Sequence, residues 1–460
     1  MEIKRRMQKK FGWLLGLGVL LVGALVACQT IYDPSIDGLV LVGSQGSYLV
    51  QTYTFSLTSG HMATAANSTS STVALTCVLP GSPGNLVMNP AGTFAYAILT
   101  AEPNVCVTGY QNVPAATGIQ ILSVSSDGNI TANGPPLKLN NETVGVCQTS
   151  GNQTQPVMET LPVVPIFVSV DVAGKYLFVS DDATTDSNGL AAPGAISVLA
   201  MNSDGTLTEV PGSPFTTPAT CTGLPPNFVS AAPSPTIFPA AVNGVSVAVC
   251  TNQPPPTAEY LYAVDQANYL LWQFVVNTST GALSLNSNTA INFATDAVPA
   301  GVAVDPCNRF VYVSGSQNNR VNAYQICTSS QFTLCQNIPN GGLIPVPGSP
   351  YTMSGGANGP GPLVVDPYGN SLYVLDTRSN QVSTFHISPV AGTLSPGNPA
   401  VVATGLGPTA IAIRGDDNWL FVSNYQAASV SQYGITPQTG ALSSLPVTTT
   451  DNYPSGIAVK

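Results

Sequence analysis

Several acidic, amide, aromatic and basic residues follow directly after short apolar segments, where loops would gather them at one end of a fold. The candidates for ligand binding are Asp265, Arg320, Asp376, Arg378, Asn424 and Tyr425. An arginine guanidinium binds carboxylates and phosphates through paired hydrogen bonds, and a neighbouring carboxylate can act as a general base. These residues therefore predict a polar site that holds an anion, without singling out a catalytic residue.

The acids and amides of this set also have a structural interpretation. Asp265, Asp376 and Asn424 each stand at the end of a strand-like segment. Asp and Asn in such positions accept hydrogen bonds from the nearby backbone and stabilise turns. Turn capping is the simpler interpretation, and the polar ligand site is its alternative.

Other residue types that carry catalysis are scarce. The chain has two histidines, His61 and His386, which lie in different repeats. The sequence has no Gly-x-Ser-x-Gly segment, the motif that carries the nucleophile of α/β-hydrolases. Asp181, Asp182 and Asp186 suggest calcium, but one short loop rarely supplies six oxygen ligands. We therefore expect no metal ion and no cofactor.

A short strand pattern recurs seven times and supplies the elements that position these residues. The copies are Leu39–Gly43, Phe94–Ile98, Tyr176–Ser180, Tyr260–Val264, Phe310–Ser314, Ser371–Leu375 and Trp419–Ser423. Most copies follow a small apolar strand and precede a third strand, after which a Gly-x-apolar turn opens a fourth. Repeats of about 40 to 50 residues made of short strands are typical of propellers. The sequence therefore predicts an all-β fold, a seven-bladed β-propeller of four-stranded antiparallel blades.

The two ends of the chain predict how the ring closes. The first repeat begins at Leu39 without a small apolar strand before it, whereas Pro454–Val459 is such a strand without a repeat after it. Joining the two removes two exposed sheet edges. We therefore expect Gly456–Val459 to pair beside Leu39–Gly43 as the innermost strand of the first blade.

These units resemble the YVTN repeats of the lactonase-like propeller family, which includes propeller-type phosphogluconolactonases. The resemblance spans about residues 36–460 and rests on a Leu/Val-Tyr/Phe-Val-Ser/Asp/Asn strand after an Asp-Pro-x-Gly-like turn. It implies the fold, whereas the family's functions range from hydrolysis to binding and surface roles. The chain departs from the pattern at Arg414, which stands where Asp305 and Asp366 lie in other repeats. Long insertions lie near residues 99–118, 139–162 and 233–257.

The first 27 residues resemble a bacterial lipoprotein signal peptide. Five cations precede an uncharged run of 17 residues that ends in Leu25-Val-Ala-Cys28. The alternative is an uncleaved membrane anchor, for which this length is near the lower limit. By the resemblance, residues 1–27 are removed, Cys28 carries the lipid, residues 28–37 form a tether and residues 38–460 form the propeller. The protein is then exported and lipid-anchored to the cell envelope, in the outer membrane where two membranes exist.

The charge of the mature chain argues against one class of partner. Without residues 1–27 it has seven Lys and Arg against 21 Asp and Glu. Such a surface repels a phosphate backbone, so no nucleic acid is expected to bind. The scarcity of cations also argues against a phosphosugar substrate.

Eight cysteines remain besides the acylated one, an even number that suggests disulfides in an exported protein. We call the face with the turns between second and third strands upper, and the opposite face lower. Cys307, Cys327 and Cys335 flank the lower turns of the fifth repeat, and any two of them are candidates for a pair. Cys106 and Cys147 lie in upper insertions near the second repeat and form another candidate pair.

These observations favour an envelope-anchored, monomeric propeller that binds or scaffolds an envelope protein, a small molecule or a carbohydrate. The alternative is a lactonase-like hydrolase, a carboxylic-ester hydrolase that opens a sugar or other lactone. In either case loops from several blades converge on the upper mouth of the axis, where the fold does not constrain side chains. The ligand site is therefore expected there, with Arg320 and Arg378 as its cations.

Overall fold

Among its described residues the computed structural model shows seven blade sheets and one separate two-stranded ribbon, all antiparallel, and it confirms the predicted seven-bladed propeller. It describes residues 38–45, 49–64, 72–74, 86–99, 118–150, 153–183, 193–217, 225–235, 258–286, 290–293, 297–328 and 335–460. In each blade four strands are hydrogen-bonded side by side, from an inner strand at the axis to an outer strand at the rim.

The first four blades have the following strands, given from the inner strand outward. Blade one has Pro454–Val459, Gly38–Ser44, Leu49–Phe55 and Met62–Thr64. Blade two has Leu86–Met88, Phe94–Leu99, Gly118–Val124 and Ile130–Ala132. Blade three has Val163–Val170, Tyr176–Ala183, Ala195–Met201 and Leu207–Glu209. Blade four has Phe228–Pro233, Glu259–Asp265, Leu270–Val276 and Leu283–Leu285.

The last three blades follow the same order. Blade five has Pro299–Val304, Phe310–Gly315, Arg320–Ile326 and Leu343–Pro345. Blade six has Pro360–Val365, Ser371–Asp376, Gln381–Ile387 and Leu394–Ala403. Blade seven has Pro408–Ile413, Trp419–Asn424, Ser429–Thr436 and Ala441–Ser444.

Two features go beyond the four-stranded plan that the sequence predicted. Short extra strands pair with the third strands of blades one, four, five and seven, at Thr72–Ala74, Ile291–Asn292, Tyr351–Thr352 and Thr448–Thr449. The insertion between blades two and three forms a two-stranded ribbon, Glu142–Ser150 with Gln153–Leu161. The extra strands return along an edge of the third strands, whereas the two strands of the ribbon pair only with each other.

The ring closes as the sequence predicted. Pro454–Val459 pairs antiparallel with Gly38–Ser44, and Val42 lies opposite Ile457. The contact between the last and first blades is a packed aromatic one, because the rings of Phe55 and Phe421 lie 5.0 Å apart. The C-terminal strand therefore completes the first sheet.

Seven apolar clusters hold the blades together, and each lies between two neighbouring sheets. The second strands contribute side chains to both of their faces, and Val40, Leu41 and Val42 are all fully buried. A sheet covered on both faces needs apolar residues at consecutive positions. This explains why the recurring strand lacks the alternation of a half-exposed strand.

Tyrosine hydroxyls of the second strands add a polar link between blades. Tyr312 and Tyr373 donate to the backbone carbonyl oxygens of Gly392 and Gly440 in the next blade, at 3.3 and 3.0 Å. The φ of Gly392 is 68°, and an added Cβ would come within 2.3 Å of the preceding blade's Phe310 ring. The recurring glycine is therefore required by the turn and by the close approach of the two blades.

One disulfide closes the outer hairpin of blade five. Cys327 and Cys335 are bonded, with 5.6 Å between their Cα atoms. Cys307 is disulfide-bonded as well, to a cysteine other than these two. The side chain of Cys147 lies outside the described part of the chain, as do Cys106 and Cys28, so their predicted roles stay predictions.

Candidate functional site

The upper face of blades four to seven is built from four turns of one design. Each turn ends on a residue with positive φ, at Tyr269, Asn319, Asn380 and Ala428. Four residues earlier, at the end of the second strand, stand Asp265, Gly315, Asp376 and Asn424. Three of the predicted site residues thus occupy one equivalent position of the repeat.

Asp265 caps its own turn. The side chain is fully buried, and its Oδ1 accepts the backbone N–H of Asn227 at 3.0 Å. Its two oxygens also accept the backbone N–H of Asn268 at 3.3 Å and the side-chain amide of Asn268 at 2.9 Å. These bonds stay within blade four, in agreement with the turn-capping interpretation.

Asp376 and Asn424 each bond to a serine on the adjacent third strand. The hydroxyl of Ser383 donates to Asp376 Oδ2 at 2.7 Å, and Asn424 Nδ2 donates to Ser431 Oγ at 2.9 Å. Burial raises the pKa of Asp376 to about 7, although the hydrogen bond from Ser383 opposes the shift. Both side chains are fully buried, so a ligand on the surface would not reach them.

Asp181 of the predicted acidic group is buried in the same way. Its Oδ2 accepts the backbone N–H of Ser197 at 3.0 Å, and burial raises its pKa well above the ordinary value. The side chain of Asp182 and all of Asp186 lie outside the described residues. Within the described part no group of three or more His, Cys, Asp and Glu side chains is arranged to hold a metal ion.

Arg320 and Arg378 both have exposed side chains on the upper surface. The stem of Arg378 lies against Gly359, where an added Cβ would be 2.7 Å from its Cγ. Arg320 begins the third strand of blade five and pairs through its backbone with Thr352. Neither guanidinium forms an ion pair within the described residues. Their predicted role in anion binding stays a prediction.

Tyr425 forms an aromatic pair with Tyr453, a residue that sequence reasoning did not select. The ring centroids are 4.8 Å apart and the rings are inclined by 30°. Tyr453 is 48% exposed. The pair marks the upper surface where blade seven meets blade one.

A cavity of about 1050 Å³ opens at the lower end of the axis, opposite the mouth where the sequence placed the site. Inner strands of blades one, two, three, six and seven form its walls. The polar residues at its rim are Asn89, Arg414, Asp416, Asn418 and Lys460. Two of the seven cations in residues 28–460 therefore line one cavity.

A change in one turn explains why Arg414 is at this rim. In the equivalent lower turn of blade six, Asp366 Oδ1 caps the turn by accepting the backbone N–H of Asn370 at 2.8 Å. Blade seven has Arg414 in that position, and Asp416 Oδ1 accepts the backbone N–H of Asn418 at 3.2 Å instead. The turn keeps a cap, and the first position becomes available for a long cationic side chain.

Arg414 is held in place by neighbours on both sides. It forms an ion pair with Asp416, and their side chains are 20% and 11% exposed. Its Nε donates to the backbone oxygen of Lys460 at 3.1 Å, and its guanidinium lies 5.8 Å from the centre of the Phe55 ring. A guanidinium has five N–H groups, so donors remain for a ligand in the cavity.

The backbone also contributes polar groups to the cavity. Each inner strand is hydrogen-bonded to its second strand on one side and is the edge of its sheet. The N–H and C=O groups of a free edge remain available to other partners. The walls therefore combine half-buried aliphatic side chains, such as Val170, Val364 and Ile413, with strand-edge hydrogen-bonding groups.

Two buried carboxyls lie behind the rim, between blades six and seven. Asp417 is 5% exposed, and its Oδ1 has no hydrogen-bond partner. Burial raises its pKa to about 8, and the charges of Asp366 and Asp416 add to the shift. Burial also raises the pKa of Asp366 to about 6. These two carboxyls therefore keep their protons at pH values at which an ordinary aspartate is ionised.

Sequence reasoning noted Arg414 as a departure from the repeat but did not assign it to a site. The signal was present, because a capping Asp is replaced by a cation and a new Asp follows two positions later. Asn89 stands at the same repeat position as Arg414 and caps its own turn by accepting the backbone N–H of Thr93 at 2.9 Å, whereas Lys460 reaches the rim only because the last strand closes the ring. Among the described residues, no helix has the length and apolar character needed to cross a membrane.

Comparison with known proteins agrees with this architecture. Residues 251–459 match the family model described as "Lactonase, 7-bladed beta-propeller". A comparison with curated proteins finds no match.

Three solved structures of similar fold are representative. A candidate 6-phosphogluconolactonase of Bacteroides uniformis is 16% identical with a TM-score of 0.61, covering 92% of this chain and 99% of that one. The periplasmic gluconolactonase of Pseudomonas aeruginosa is 15% identical with a TM-score of 0.59, at the same coverage of 92% and 99%. A protein of Lactobacillus plantarum is 14% identical with a TM-score of 0.57, again covering 92% and 99%. The chain is therefore a seven-bladed β-propeller whose residues 251–459 match the lactonase propeller family model.

Proposed function

We propose that this protein is a hydrolase that opens a neutral, hydroxyl-bearing lactone in the lower axial cavity. The observation that carries the proposal is the Arg414–Asp416 pair at the rim of a cavity of about 1050 Å³. The match to the lactonase family supports the reaction type. Of the similar structures, the Bacteroides uniformis protein is named as a candidate 6-phosphogluconolactonase and the Pseudomonas aeruginosa protein as a periplasmic gluconolactonase.

The pair supplies the two functions that ester hydrolysis needs. The Asp416 carboxylate takes a proton from a water molecule while the water oxygen bonds to the lactone carbonyl carbon. Arg414 donates hydrogen bonds to the carbonyl oxygen as its negative charge develops. The ring C–O bond then breaks, and the departing oxygen takes the proton from Asp416. The product is the hydroxy acid, and Asp416 returns to its carboxylate form.

The electrostatics of the rim favour a neutral substrate over a phosphorylated one. Asp416 compensates the charge of Arg414, so the remaining positive charge of the rim comes from the side chain of Lys460. A phosphate dianion would require more positive charge than this arrangement offers. Strand-edge N–H and C=O groups, by contrast, suit the hydroxyl groups of a sugar lactone.

Glucono-δ-lactone hydrolysis by the purified chain without residues 1–27, carrying Cys28→Ser, tests the proposal. Arg414→Gln and Asp416→Asn are each expected to lower kcat/KM by about 100-fold, the effect of removing one transition-state donor or base. Lys138→Gln removes an exposed cation elsewhere and should leave the rate unchanged. Loss of activity in Arg378→Gln but not in Arg414→Gln would place the site at the upper mouth. An inactive parent protein across a lactone panel would refute the proposal.

We also propose that the protein acts at the cell envelope, attached through Cys28. The support is the signal-like sequence of residues 1–27 and the even number of remaining cysteines. Metabolic labelling with a fatty-acid probe should mark the full-length chain expressed in cells but not its full-length Cys28→Ser variant. A binding role is a second candidate function, and the pair of half-buried Tyr425 with exposed Tyr453 favours it.

A further inference from the structure

The upper turns of blades five to seven are joined to one another by hydrogen bonds and form a continuous surface. Asn319 Oδ1 accepts the backbone N–H of Gly359 at 3.0 Å, and Asn380 Oδ1 accepts that of Gly407 at 2.8 Å. Each asparagine ends the turn of one blade, and each glycine leads into the inner strand of the next. We call this surface the upper arc; it includes Arg320, Arg378, Leu406, Tyr425 and Tyr453.

One end of the upper arc is positively charged. Arg320 and Arg378 are exposed and form no ion pair within the described residues. The acids closest to them in the repeat, Asp265 and Asp376, are fully buried and bond within their own blades. Acids outnumber cations by 21 to seven in residues 28–460. Two neighbouring arginines without an ion-pair partner among the described residues are therefore unusual.

The other end of the upper arc is apolar and aromatic. Leu406 is 59% exposed and Tyr453 is 48% exposed. Tyr425 lies between them. Its backbone N–H donates to the carbonyl oxygen of Gly407 at 2.7 Å, and its ring packs against that of Tyr453. Tyr453 has a φ of 58°, a conformation unfavourable for an aromatic residue. Strained positions of this kind concentrate at ligand-binding surfaces.

We propose that the upper arc binds an extended segment of a partner protein in which acidic side chains precede an aromatic or aliphatic one. Exposed arginines bind carboxylates through charge-assisted hydrogen bonds, and tyrosine and arginine are the residue types enriched at binding hot spots. The upper arc is an open surface that extends over three blades, which suits an extended chain better than a small molecule. This surface is separate from the lower cavity and does not depend on the hydrolase proposal.

Fluorescence anisotropy with a labelled twelve-residue peptide, four Glu followed by Gly-Phe-Gly-Leu and four Ser, tests the inference on the same Cys28→Ser chain. The Arg320→Gln, Arg378→Gln double variant and the Tyr453→Ser variant are each expected to weaken binding at least tenfold. Tyr425→Ser should have the same effect without altering the strained residue. Lys138→Gln and Val390→Ser remove an exposed cation and an exposed aliphatic side chain elsewhere, and they should bind like the parent.

The charge component has its own control. A peptide with Gln in place of Glu should bind at least tenfold more weakly at low salt, and the difference should shrink in 300 mM NaCl. Equal binding of the two peptides, or equal binding by the parent and the double variant, would overturn the inference. Binding of polygalacturonate but not of the peptide, lost in the same variants, would also overturn it, because the partner would then be an acidic polysaccharide.

Discussion

Replacing Asp417 with Asn should stabilise the protein, and the gain should grow as the pH rises. Asp417 adopts a φ of 57°, which Asn tolerates well. Blade five already has Asn308 at the equivalent position with a φ of 55°. The substitution therefore removes a buried charge without changing the turn.

The sign follows from the direction of the pKa shift. The pKa of Asp417 is raised from 3.8 to about 8, so the folded state binds this proton more tightly than the unfolded state does. The contribution to stability is present at low pH and is lost as the pH rises from about 4 to about 8. At about 1.36 kcal/mol per pKa unit, the upper limit of the loss is about 6 kcal/mol. Hydration of the turn and the higher effective dielectric constant of real protein sites should reduce this loss to about 2 kcal/mol.

Thermal unfolding followed by circular dichroism at pH 5, 6, 7 and 8 measures the effect. Asp417→Asn should unfold close to the parent at pH 5 and about 2 to 4 °C higher at pH 8. Asp204→Asn removes an exposed carboxylate of lowered pKa and controls for the change in net charge. A variant that is destabilised at both pH values, or shifted equally at both, would show that Asp417 is not held protonated by its surroundings.

Three further changes test the fold. Deleting residues 453–460 should lower the thermal midpoint and cause aggregation, because two sheet edges become exposed; an unchanged midpoint in differential scanning calorimetry would contradict the closure. Tyr373→Phe should lower the free energy of urea unfolding by about 1 kcal/mol, because the carbonyl oxygen of Gly440 loses its donor. An unchanged free energy would mean that water replaces the hydroxyl. Replacing Cys327 and Cys335 with serine should lower the free energy of unfolding by about 2.5 kcal/mol for a loop of this length. Equal unfolding free energies of parent and variant under non-reducing conditions would show that the disulfide does not constrain the unfolded chain.

The repeat made the propeller predictable because each blade reuses the same local solutions. Second strands must be apolar on both faces, and the turn glycine must approach an aromatic ring of the preceding blade, as Gly392 approaches Phe310. Such constraints appear directly as residue types at fixed spacing. Ring closure was predictable for the same reason, since Pro454–Val459 is a strand without a partner in its own repeat.

The candidate site was less predictable because the position of a residue at a strand end does not reveal its burial. Asp376 and Arg378 are two residues apart, yet one is fully buried and the other is exposed. The direction of a side chain depends on the strand register and on its hydrogen-bond partner on the neighbouring strand, which for Asp376 is Ser383. Polar residues gathered at one face by topology are thus divided between turn caps and surface groups in a way that spacing alone does not show.

Departures from the repeat are more informative about function than the repeated positions are. An acid that recurs at the start of the lower turns is needed there to cap backbone N–H groups, and Asp366 shows how it does so. Arg414 breaks this rule while Asp416 preserves the cap, so the turn alone does not require the arginine. The side chain of Arg414 then lies at a cavity beside the Asp416 carboxylate instead of capping its own turn. The same reasoning applies to Tyr453, an aromatic residue at a positive φ that glycine would satisfy more easily.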